Sequence, residues 1–164
     1  VTGTKNSPAN IDKKASIKAG QKVLVNGATG AIGSAAVQIL KYFNVKVTAV
    51  CSTKNLKLVK SLGAEKIIDY MSEDFTKDKQ KYDFVFDAVG KSTFGKCKHL
   101  LKPGGVYISS ELGPGGQNIF YALFTPITNN KKVIFPIPTE IRVRIFFIKN
   151  LIGGGRCKAV IDGK

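Results

Sequence analysis

Nine residues constrain this chain more than any others. Val25-Asn26-Gly27-Ala28-Thr29-Gly30-Ala31-Ile32-Gly33 ends the apolar run Lys22–Asn26 and leads into Ser34–Phe43, where Ala36, Val37, Ile39, Leu40 and Phe43 keep helical spacing. A short apolar run bounded by turn residues predicts a buried parallel strand, and the spacing that follows predicts a helix. Between such a strand and helix, a glycine pattern points to dinucleotide binding. Gly27 makes the tight turn, Gly30 lets backbone approach a pyrophosphate, and Gly33 lets the helix pack closely on the strand. Thr29, Ala31 and Ile32 complete the loop, and the phosphates would rest on free N–H groups at the helix N-terminus. No Gly-Lys-Ser/Thr follows, which excludes a Walker loop. The spacing GxxGxxG departs from strict GxGxxG, because Ala28 holds the place of the first glycine. The competing reading is an ordinary glycine-rich strand–helix turn.

The same alternation continues along the chain. Val45–Val50 reads as a second strand, Asn55–Leu62 as a helix with Leu56, Val59 and Leu62 on one side and Gly63 as its C-cap, and Lys66–Asp69 as a third strand. Tyr82–Val89 reads as a fourth strand closed by Gly90, and Ser92–Leu101 as a helix stopped by Pro103-Gly104-Gly105. A fifth strand over Val106–Ser110, a short helix over Asn118–Phe124, a sixth strand over Lys132–Ile137 and a helix over Glu140–Ile152 complete the pattern. In that last helix Ile141, Ile145, Ile148 and Ile152 fall on a core-facing stripe. Repeated strand–helix units predict an α/β chain: a Rossmann, doubly wound, six-stranded parallel sheet with helices on both faces. Ligands of such sheets sit at the carboxyl ends of the strands, at the switch point.

Three segments reach that edge. Enzymes that prefer NAD place a carboxylate after the second strand to hold the ribose 2′-hydroxyl. Here Val50-Cys51-Ser52-Thr53-Lys54-Asn55 has none, and the next acid along the chain is Glu65. Ser52, Thr53 and Lys54 instead suit a 2′-phosphate. Two charge-assisted hydrogen bonds of ~1.5–3 kcal/mol each would favour NADPH by roughly 10²–10⁴. The alternative is that Ser52 and Thr53 cap the next helix. After the fourth strand, Ala88, Val89 and Gly90 offer backbone and little bulk, as a nicotinamide ribose requires, and Ser110 and Leu112 do the same after the fifth. Asp87 is expected to hold loop N–H groups rather than to catalyse.

Composition narrows the classes. With 43% hydrophobic and 23% charged residues and no low-complexity tract, the 164-residue chain is neither disordered nor fibrous. No apolar run reaches the roughly 18 residues of a membrane helix. The net charge of +15 invites a polyanion, but the lysines are dispersed and no aromatic platform accompanies them, so specific nucleic-acid binding is not expected. Cys51, Cys97 and Cys157 are far apart and match neither a zinc spacing nor a disulfide framework, and His99 is the single histidine. No metal site is expected in this segment, and the setting is expected to be reducing and cytoplasmic. Val1–Lys14 carries no apolar stretch of signal-peptide type, and the initial Val implies a start located elsewhere.

Four strings carry a family resemblance: KAGQKVLVNGATGAIGSAAVQ, SLGAEKIIDY, YDFVFDAVG and LLKPGGVYISS. In this order and spacing they resemble the nucleotide-binding domain of medium-chain dehydrogenase/reductases, closest to the quinone oxidoreductase-like branch often labelled zinc-binding dehydrogenase. The resemblance runs from about Ile17 to the end. It implies a second lobe, absent here, that holds most of the substrate cleft and any catalytic zinc. Residues 1–16 would then be the junction from that lobe, 17–158 the dinucleotide-binding domain and 159–164 the start of the return. The resemblance implies NADPH as cofactor, hydride transfer from its C4 to a quinone or activated alkene without zinc, and no catalytic residue within this chain. Tyr70 and Lys54 would flank the 2′-phosphate, while strands five and six would line the nicotinamide. The implied partners are a small-molecule substrate, the missing lobe and, through paired sixth strands, a second copy; Pro136 and Pro138 oppose that pairing because proline cannot donate to a ladder.

Other classes remain open. One is a zinc-dependent alcohol dehydrogenase whose ligands lie outside this chain. Another is a basic polyanion- or RNA-binding protein on a retained dinucleotide fold. A short-chain reductase needs a Tyr-x-x-x-Lys pair on a later helix, whereas Tyr42 and Lys46 fall at the end of the first helix and the start of strand two. A methyltransferase needs an acid after strand two, and that stretch has none.

Overall fold

Successive residues of the strands are apolar and go to opposite faces, which forces both faces of the sheet to be covered. In the computed structural model, which describes residues 17–109 and the backbone of 132–134, Val23 and Val25 enter one hydrophobic core while Leu24 enters another. The strands are β1 (Lys22–Asn26), β2 (Lys46–Cys51), β3 (Lys66–Asp69), β4 (Tyr82–Asp87), β5 (Leu101–Ser109) and β6 (Lys132–Ile134). They form one sheet in the order β3-β2-β1-β4-β5-β6, and every pair is parallel. This is the doubly wound order expected from the sequence, with β1 and β4 at the switch point.

Helices α1 (Ala31–Tyr42) and α2 (Leu56–Ser61) cover the first face. Their Val37, Leu40 and Val59 pack on Val23, Val25, Val47, Ala49 and Phe84. Helix α3 (Phe94–Cys97) and the 3-10 turn Lys98–Leu100 cover the second. There Phe94, Cys97 and Leu100 pack on Leu24, Val50, Val85 and Tyr107, and the Phe94 and Tyr107 rings meet edge-on with centroids 6.1 Å apart. Each fully buried Val or Leu contributes about 1.5–3 kcal/mol through lost water contact.

The structure corrects several boundaries. Helix α1 starts at Ala31, directly after Gly30, rather than at Ser34. The second helix is shorter than Asn55–Leu62 because Thr53–Asn55 forms a 3-10 turn first. The helix expected over Ser92–Leu101 contracts to four α-helical residues, N-capped by the Thr93 hydroxyl accepting from the Lys96 N–H at 3.3 Å. Strand β5 begins at Leu101, before Pro103-Gly104-Gly105 rather than after it. Tyr82 pairs with Leu101 and Phe84 with Val106, so the intervening residues form an irregularity, which Gly104 permits at φ +75°. Strand β4 ends at Asp87 rather than Val89. The elements expected over 118–124 and 140–152, and Ser110, Leu112, Pro136, Pro138 and Cys157, lie outside the described residues.

Candidate functional site

The three glycines after β1 separate on the structure. Gly27 sits at φ +80°, and a Cβ there would overlap the Val89 side chain. A Cβ on Gly33 would overlap the Gly27 carbonyl oxygen and lie 3.0 Å from the Ala28 Cα. Both positions are therefore dictated by the fold itself. Gly30 is different: its φ is −66° and its ψ 166°, open to any residue. The nearest atom to a Cβ there would be the Gly27 oxygen, at an ordinary 3.8 Å. Gly30 is exposed, and among the described residues nothing fills the space beside it.

Gly30 is also the N-cap of α1 and supplies no side chain to it; the helix has no acid in its first turn. The first intrahelical bond runs from the Ser34 N–H to the Gly30 oxygen at 2.8 Å. The N–H groups of Ala31, Ile32 and Gly33 precede it and belong to the orphan donors of a helix start. A 12-residue helix thus presents its positive end with no acid in its own first turn. Thr29 is half-buried beside it, Ile32 is 56% exposed, and the turn is fixed from below by the Ala28 N–H donating to the Val50 oxygen at 3.1 Å.

Beyond β2 lie Ser52, Thr53 and Lys54. Neither hydroxyl caps a helix. Ser52 Oγ accepts from Asn55 Nδ2 at 3.2 Å, while Lys54 is exposed. Tyr70, 56% exposed, is held at the same edge by its N–H donating to the Cys51 oxygen at 3.1 Å. Thr53 Oγ1 donates to Asp69 Oδ2 at 2.5 Å. This carboxylate is the residue missed by counting along the chain, where Glu65 is the next acid after strand two. Parallel pairing sets Asp69 directly beside Cys51, and its Oδ1 accepts from the Met71 N–H at 3.0 Å. Burial, and then the Asp69 charge, push the Cys51 thiol up. The register of β2 against β3 was the signal that would have found it.

At the end of β4, the fully buried Asp87 organises the next loop. Its Oδ1 accepts from Asn26 Nδ2 at 3.1 Å and from the N–H groups of Val89 and Gly90 at 3.2 and 3.1 Å. Its Oδ2 accepts from the Ser92 N–H at 2.9 Å and the Tyr107 hydroxyl at 3.3 Å. Burial, then the neighbouring Asp87 charge, raise the Tyr107 phenol above its usual range. The structural role expected for Asp87 is the one observed. The Ala88 N–H donates to the Asn26 oxygen at 3.0 Å, and Val89 covers Gly27, so the Ala88–Gly90 loop and the glycine turn form one continuous rim.

His99 lies before β5, at the opposite edge of the sheet, with its Nε2 against the Thr76 oxygen. Among the described residues no group of three or more His, Cys, Asp or Glu side chains converges, and no helix is long and apolar enough to cross a membrane.

Comparison with known proteins agrees with this geometry. Residues 31–138 match the zinc-binding dehydrogenase family. The chain is 31% identical over 166 residues to the chloroplastic quinone-oxidoreductase of Triphysaria versicolor, covering 98% of this chain and 49% of that protein. It is 39% identical over 150 residues to the chloroplastic NADPH-dependent alkenal/one oxidoreductase of Arabidopsis thaliana, covering 89% of this chain and 34% of the relative. The quinone oxidoreductase structure from Coxiella burnetii superposes with a TM-score of 0.76 at 25% identity, over 88% of this chain and 45% of that one. The chain spans half or less of the length of these relatives.

Proposed function

The chain belongs to the zinc-binding dehydrogenase family, in its quinone oxidoreductase-like branch, and from that premise we propose that it is the NADPH-binding domain of an oxidoreductase that passes hydride to a quinone or an activated alkene. The observation that carries this is the start of α1: an exposed Gly30 with free space beside it among the described residues and a helix with no acid in its first turn. In this proposal Gly27, Thr29, Gly30 and Gly33 shape the cradle, and the N–H groups of Ala31, Ile32 and Gly33 hold the pyrophosphate. Ser52, Lys54 and Tyr70 hold the 2′-phosphate, with the Thr53 backbone beside them. Ala88, Val89 and Gly90, locked by Asp87, position the nicotinamide ribose. When bound, NADPH supplies the hydride from C4, and this chain supplies position and electrostatics.

The hydride acceptor's site belongs to a second lobe that residues 1–16 and 159–164 join. The described residues do not fit a zinc site, so no step of the proposal uses one. A zinc-dependent alcohol dehydrogenase with ligands in that lobe is the alternative.

Calorimetric titration of the chain with NADPH and NADH tests the proposal. Tighter NADPH binding, with the preference lost in Lys54→Glu, is expected. Equal or NADH-favoured binding overturns the phosphate assignment. Binding of neither, also in a chain extended at both ends, overturns the proposal as a whole.

A further inference from the structure

Sequence order hides a carboxylate from the phosphate edge, and the sheet restores it. Asp69 ends β3 beside the end of β2, and its neighbour in sequence is Tyr70. Its Oδ2 accepts a hydrogen bond from the hydroxyl of Thr53, which lies between Ser52 and Lys54. One carboxylate thus engages Thr53, next along the chain to Ser52 and Lys54, and is itself next to Tyr70. It withdraws one hydroxyl donor and adds a negative charge where a dianion would be received. We propose that Asp69 is a specificity-setting residue, which holds the preference for a 2′-phosphorylated cofactor below what Ser52, Lys54 and Tyr70 would give by themselves. The inference rests on the 2′-phosphate assignment above.

The atoms make the consequence of one substitution explicit. Asp69 Oδ1 accepts from the Met71 N–H and Oδ2 from Thr53. In Asp69→Asn the amide oxygen keeps the Met71 bond, so the turn after β3 is retained. The amide NH₂ then donates to Thr53 Oγ1 instead of accepting from it. The Thr53 proton is freed to point at a phosphate, and the opposing charge is gone. Both changes favour a dianion and neither touches the pyrophosphate cradle.

The test is calorimetric titration of the native chain, Asp69→Asn and Lys54→Glu with NADPH and NADH. It is repeated with 2′,5′-ADP and 5′-AMP, which separate the phosphate from the nicotinamide. Asp69→Asn is expected to raise the NADPH/NADH affinity ratio at least fivefold, with NADH binding changed less than twofold. Adding Thr53→Val to Asp69→Asn is expected to remove a measurable part of that gain. Should Asp69→Asn fail to fold by circular dichroism, Asp69→Ser removes the charge while keeping a hydroxyl acceptor for Met71, and the same rise is expected. A ratio within twofold of native while Lys54→Glu still lowers NADPH binding overturns the role of Asp69 alone. A ratio unmoved by both variants overturns the phosphate assignment and this inference with it.

Discussion

Asp87→Ala is expected to be among the most damaging single changes in the described part of the chain, and the hydrogen bonds say by how much. The carboxylate accepts from Asn26, Val89, Gly90, Ser92 and Tyr107. Val89 is 36% exposed, so water can reach its stretch of loop, and those two N–H groups contribute little to the loss. Asn26, Ser92 and Tyr107 are buried, and a stranded buried donor costs about 1–3 kcal/mol. Water entering the space left by the carboxylate offsets part of this, which gives about 3–5 kcal/mol. A domain has only ~5–15 kcal/mol in total. Asp87→Asn keeps the shape, but its NH₂ must face either the three donors at Oδ1 or the two at Oδ2. About 1–3 kcal/mol is expected there, less than for Ala. Urea unfolding followed by circular dichroism measures both. An Asp87→Asn variant within about 0.5 kcal/mol of native would refute the idea that the Asp87 carboxyl group, with acceptors at both oxygens, organises this rim.

Other consequences follow from the same geometry. Gly33→Ala forces a methyl into the Gly27 carbonyl; it should destabilise the fold by about 1–3 kcal/mol in the same unfolding assay, as overpacking does. At Asp83, burial opposes ionisation, yet the Lys102 ammonium and the Lys22 N–H, both at 2.8 Å, hold the carboxyl below its usual range. A depressed folded value means that this contribution is fully present above the unfolded carboxylate pKa of about 3.9 and is lost as pH falls through the folded one. Lys102→Met should therefore weaken the fold at neutral pH and flatten the acid limb of a thermal-melt pH profile, with little effect at the bottom of that limb.

How much of this was legible in the sequence depends on whether the information is local. Strands buried on both faces must be apolar along their length, so KVLVN and KIID were placed to the residue. The glycine turn was legible because Gly27 and Gly33 answer to backbone geometry. Pairing between distant residues was not. Pro103-Gly104-Gly105 reads as a stop, yet Leu101 already pairs with Tyr82, and the strand absorbs the irregularity. The end of β4 is set by a carboxylate turning back on the N–H groups that follow it, which an apolar run such as Ala88-Val89 conceals. Asp69 was missed for the same reason: 16 residues separate it from Thr53 in the chain, and only the β2–β3 register brings them together.

Dinucleotide binding at the start of α1 is the central claim, and Gly30→Ala tests it most directly. The backbone there suits alanine, and among the described residues nothing beyond its chain neighbours lies closer than 3.8 Å to the added carbon. The melting temperature should stay near native, since an N-cap change from Gly to Ala costs about 1 kcal/mol or less. Calorimetric titration with NADPH should show affinity reduced at least tenfold, because the methyl occupies the space kept for the pyrophosphate. Native-like NADPH binding by a folded Gly30→Ala chain would contradict the claim.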